Sequence, residues 1–131
     1  MTQIIKRYWK WDEKLNDTPY KLGGDISHLL QKGLVYPDKE EKGQFPGLGE
    51  GAPWCVDIGA GEVTSISFTC SKNSIFPKIK EGLWEMEEPK FTETLSSVLG
   101  PPCEPTQGDY LFVAFRGGFV TMAVIFRKFP R

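Results

Sequence analysis

Hydrophobic and polar positions change period several times along the chain. In QIIKRYWKWDE, Ile5, Trp9 and Trp11 share one parity and Ile4 and Tyr8 the other. Alternation among β-branched and aromatic residues predicts a first strand. In GGDISHLLQKG the spacing becomes helical, with Ile26, Leu29 and Leu30 on one side. Asp25 is placed to cap this helix of two or three turns and Gly33 to end it. Tyr36 to Pro53 is charged at first and then punctuated by Gly and Pro, which predicts a long loop.

WCVDIGAGEVTSISFTC carries two strand-like runs around GAGE, with Val56 and Ile58 in the first and Ile66 and Phe68 alternating with polar residues in the second. This predicts a hairpin. SKNSIFPKIKEGLW fits an edge strand and an extended loop equally, because Pro77 interrupts it. Phe91, Leu95, Val98 and Leu99 then repeat at helical spacing; Pro89 suits the first turn, and Gly100 with Pro101 stops the helix. The closing DYLFVAFRGGFVTMAVIFRKF has two apolar runs around Gly117 and Gly118, a second hairpin. Leu111, Val113 and Phe115 on one parity and Phe112 and Ala114 on the other predict that it lies centrally, covered on both faces.

The order strand, helix, hairpin, helix, hairpin does not alternate as βαβ units do. It predicts an α+β fold, a mostly antiparallel sheet with two helices packed on it, in a single domain over residues 1–131. A chain of this length buries roughly two thirds of the surface its unfolded form exposes, enough for one core. No repeat of fixed period and no low-complexity tract redirects that reading.

Charge narrows the partners. A formal net charge of -1 and a pI near 5.9 supply no general basic field for a phosphate backbone, so direct nucleic-acid binding is not expected. The N-terminal stretch lacks the apolar run of a secretory leader, and no window approaches a membrane span, so no membrane association is expected. Cys55, Cys70 and Cys103 are odd in number and widely spaced. Reduced thiols in a cytoplasm fit that pattern better than a disulfide framework.

Candidate chemistry is sparse. His28 is the one histidine, so a nucleophilic triad would have a single base, and an ordinary surface or helix-end histidine is the competing reading. Cys55 and Cys70 have no basic sequence neighbour to favour a thiolate, and no CxxC or HxxxH pair supplies a local metal chelate. The glycines of GQFPGLGEGAPW are followed by no Lys-Ser or Lys-Thr pair, unlike a phosphate loop. No metal, cofactor or catalytic residue is therefore assigned.

The most distinctive stretch is LWEMEEPKFTETL. From Glu81 to Asp109 there are seven acidic residues and one basic residue, Lys90. Glu87 and Glu88 precede Pro89 and are accounted for by the positive end of the helix dipole. Glu81 and Glu85 lie too far upstream for that, and Trp84 and Met86 alternate with them in what reads as extended chain. Tryptophan and methionine favour interfaces, while clustered acids select a basic partner. Glu81, Trp84, Glu85, Met86, Glu87 and Glu88 thus form a candidate partner-binding surface; a plain solvated face is the other reading.

With this acidic aromatic segment, FTETLSSVLGPP and the closing YLFVAFRGGFVTMAVIF hairpin, the chain resembles the small immunity proteins of bacterial contact-dependent growth inhibition systems. Those proteins share no signature motif, so no residue role carries over. The resemblance implies a non-enzymatic inhibitor that binds a cognate protein toxin with a basic surface, commonly a nuclease. The alternative is a small-molecule enzyme or binding domain with a pocket between the sheet and the 36–54 loop, lined by Tyr36, Phe45 and Trp54.

Overall fold

The computed structural model describes residues 3–16, 18–40, 42–48, 52–69 and 82–129. Glu81, Cys70 and the ambiguous stretch at 71–80 lie outside them. Among the described residues six strands form one antiparallel sheet: β1 (Ile4–Lys10), β2 (Gln44–Phe45), β3 (Cys55–Gly59), β4 (Glu62–Thr69), β5 (Gly108–Arg116) and β6 (Phe119–Lys128), in the order β1-β5-β6-β4-β3-β2. Two helices, α1 (Ile26–Gln31) and α2 (Glu88–Leu99), complete an α+β architecture.

Both hairpins turn for the same reason. Gly59 pairs with Glu62 across Ala60 and Gly61, and Arg116 pairs with Phe119 across Gly117 and Gly118. All four linking residues have positive φ, from 54° to 88°. That conformation matches a two-residue turn to the right-handed twist of its strands. Register then sets the faces. Ile5, Arg7 and Trp9 of β1 lie beside Phe115, Val113 and Leu111 of β5, which continue into Ala123 and Ile125 of β6 and Ile66 and Phe68 of β4.

This row is the core face. Phe91 and Leu95 of α2 are buried against it, and the Phe91 ring meets Phe115 edge to face with centroids 5.1 Å apart. The Trp9 indole donates to Ser96 Oγ at 3.1 Å, and Arg7 Nε meets Glu88 Oε1 at 2.7 Å, tying β1 to α2 at two heights. Ile26 and Leu29 of α1 join the same cluster, as do Tyr20, Leu22 and Val35 of the connecting chain.

The opposite face differs from expectation. β5 and β6 are interior strands, but both helices pack on the core face. On the other parity Phe112 and Phe126 are half-buried, and they are covered by rings of their own layer. Tyr8 stands edge-on to both, at 5.2 and 6.2 Å, and Tyr110 stacks on Phe126 at 6.0 Å. Aromatic side chains can shield one another in this way.

Smaller corrections follow from helix geometry. α1 is only six residues long, and Leu30 points outward, 39% exposed, while Ile26 and Leu29 turn in. In α2, Thr94 takes the buried place that apolar spacing gave to Val98, which is exposed. Leu83–Glu85 forms one 3₁₀ turn, where extended chain was expected, and it begins at Gly82 with φ 80°.

Residues 34–38 and 44–48 are also more ordered than the loop expected from Tyr36 to Pro53. Leu48 N–H donates to Leu34 O, Tyr36 N–H to Pro46 O and Asp38 N–H to Gln44 O, so 34–38 and 44–48 run as an irregular hairpin. Its second arm holds β2, which extends the sheet past β3.

Candidate functional site

The acidic segment is built where α2 begins. Glu88 sits in the first turn, half-buried, and its carboxylate accepts from both Arg7 Nε and Thr92 Oγ1. Its amide donates to Gly118 O at 2.7 Å. Glu88 thus fastens the helix start to β1 and to the β5–β6 turn. Glu87 caps the helix through its backbone and forms an isolated bridge with Phe119.

Leu83, just upstream, is buried, and this brings Trp84 and Met86 partly into the core, where Met86 Sδ accepts from Thr94 Oγ1 at 3.6 Å. Glu85 and Glu87 face solvent. Of the proposed residues, then, Glu85 and Glu87 present charge, Trp84 and Met86 present part of their surface, and Glu88 is engaged within the protein. Phe119 is the addition: it is 45% exposed and reaches this surface through its bridge to Glu87. Sequence reading placed Phe119 only on the last hairpin, since nothing local couples it to residues more than thirty positions earlier.

His28 is exposed on α1 and lines a small cleft of about 150 Å³ with Lys21, Asp25 and Lys32. Drug-sized ligands occupy roughly 300 to 1,000 Å³, so this hollow is short of a substrate pocket. The Asp25 carboxylate is used as the helix cap, accepting from Ser27 N–H at 2.8 Å. Among the described residues no group of three His, Cys, Asp or Glu side chains is placed to hold a metal ion.

A larger cleft, about 340 Å³, lies at the β2 edge on the face opposite α1 and α2, lined by Tyr36, Asp38, Gln44, Pro46, Trp54 and Cys55 together with Gly47 and Pro53. Alternation explains the set. Gln44 pairs with Asp57 and Phe45 with Val56, so Phe45 and Val35 face the core while Tyr36, Asp38, Gln44 and Pro46 share the other side with Cys55. Tyr36 and Trp54 thus line the cleft as expected; Phe45 packs inward.

Gly47 closes one wall. A Cβ there would meet Pro53 O at 2.4 Å and Ala52 Cβ at 2.8 Å, so only glycine permits this approach of the two chain segments. On the floor, the buried Cys55 thiol is pushed above the ordinary cysteine range by burial first and then by the negative fields of Asp57 and Asp38. A protonated thiol is a poor nucleophile, so Cys55 serves this cleft as a small apolar surface. Asp38 and Gln44 join the cleft because Asp38 N–H donates to Gln44 O, a pairing across the hairpin that no local sequence signal announces.

No helix among the described residues is long and apolar enough to cross a membrane. The chain matches no protein-family model, no curated protein and no solved structure, so the chemistry of these surfaces is argued from their residues.

Proposed function

We propose that this chain is a non-enzymatic interaction module that binds and neutralises a cognate protein toxin with a basic surface, in the manner of the immunity proteins it resembles. The observation that carries the reading is the surface at the start of α2. Exposed Phe119 is bridged to Glu87, and Glu85 lies beside the partly buried Trp84. An exposed aromatic joined to an acidic segment supplies an apolar anchor with charge-selective residues alongside it. A cytoplasmic setting belongs to the same proposal and rests on Cys55 and Cys103 being free thiols.

The test pairs the purified protein with the product of the neighbouring gene, measuring association kinetics and protection of growth on co-expression. Tight binding with protection supports the reading. Lack of both with a correctly folded pair sinks it.

A second reading is favoured by the 340 Å³ cleft: a ligand-binding domain whose site is framed by Tyr36 and Trp54. Trp54 is 61% exposed, and binding would cover its ring.

A further inference from the structure

We propose that the cleft at the β2 edge takes a positively charged organic group, an alkylammonium or guanidinium, held against Trp54, Tyr36 and Asp38. The inference rests on the second reading above, that this cleft is a binding site, and adds the class of its ligand. Trp54 and Tyr36 are 61% and 45% exposed, and both line the same hollow. A cation over an aromatic face is attracted by the ring quadrupole, most strongly over tryptophan.

The remaining lining residues select the sign. Asp38 is the one charged side chain among the described lining residues, and its Oδ1 accepts from Glu40 N–H at 2.8 Å, which orients the carboxylate within a short turn. Asp57, on the same face of β3, adds a second negative field, and its Oδ2 is fixed by Ser65 Oγ at 2.6 Å. Lys39 and Lys42 stand at the tip of the hairpin but do not line the cleft. Gln44 offers a carbonyl to any N–H the cation carries. A volume at the low end of ligand pockets admits one head group or one basic side chain.

The experiment titrates the intact protein with choline, with agmatine, and with 3,3-dimethylbutanol, the neutral isostere of choline, following tryptophan fluorescence and indole NMR shifts. At least one cation should bind. For choline, the neutral isostere should be weaker by about 3- to 30-fold, the range expected of a cation–π contact. Trp54→Ala should abolish the response, and Asp38→Asn, which keeps an acceptor for the Glu40 amide, should weaken it several-fold. The choline and agmatine arms distinguish a quaternary ammonium head from a guanidinium side chain.

Equal affinity for choline and 3,3-dimethylbutanol, lost in Trp54→Ala, would overturn the charge assignment while leaving the cleft as a binding site. Absence of binding by all three probes would overturn both. Cation binding that survives Trp54→Ala would place it elsewhere and also end the proposal.

Discussion

Asn16 shows how one buried polar residue organises the chain that follows a single 3₁₀ turn, Glu13–Leu15. Its side-chain N–H groups donate to Tyr20 O and Glu13 Oε1, and its Oδ1 accepts from the Thr18 amide and hydroxyl. Glu13 also accepts from the Trp11 indole at 2.7 Å and from Leu22 N–H at 3.0 Å. Removing one partner strands the others away from water, so Asn16→Ala is expected to lower stability by about 1 to 3 kcal/mol in urea unfolding. None of this was legible in KWDEKLND, because hydrogen bonding in a loop follows from where the chain returns. At Cys55 the raised thiol pKa predicts slow alkylation beside half-buried Cys103, compared by mass spectrometry at mildly alkaline pH. The sign for stability follows: the contribution of the neutral buried thiol is complete below its unfolded pKa and is lost as pH rises through the higher folded value. His28, exposed and without a buried partner set, should tolerate alanine with binding unchanged in the toxin assay.

Elements were the scale at which sequence spoke most clearly. Phe91 and Leu95 fix the inner side of α2, and Leu95→Ala should cost about 2 to 5 kcal/mol of stability by chemical denaturation, since the side chain is fully buried between helix and sheet. A shift under about 0.5 kcal/mol would mean that the helix face is not held as described. The glycine turn of the last hairpin was equally readable, and alanine at Gly118, with φ 88°, should destabilise by about 1 kcal/mol, visible as a lower Tm. The 3₁₀ turn at Leu83–Glu85 was not readable, because the inward pull on Leu83 comes from the core it joins. Periodicity also misassigned Val98, since the direction in which a helix tilts over a sheet decides which flanking position is covered.

For the whole molecule, the acidic surface gives the sharpest outcome. Glu85→Lys with Glu87→Lys should slow association with a basic partner by at least about 10-fold at low salt, with the difference shrinking as salt rises. Phe119→Ala should act mainly on dissociation, as a buried anchor does. Stopped-flow or surface-binding kinetics at two ionic strengths separates the two, with circular dichroism checking the fold. An unchanged association rate in the Lys pair would leave these acids as a solvated face.

The order of the larger elements, the glycine turn of the last hairpin, the Asp25 cap and the inward places of Phe91 and Leu95 on α2 were determined by the sequence itself, because backbone sterics and side-chain period act within a few residues. Strand order was decided only in three dimensions: β1 lies beside β5, and β6 beside β4, at separations that no local pattern encodes. The same closure joined Phe119 to Glu87, turned Phe45 inward, and set Tyr36 and Trp54 around one cleft. Long-range packing chooses among the faces that local chemistry merely makes available, and both candidate sites are products of that choice.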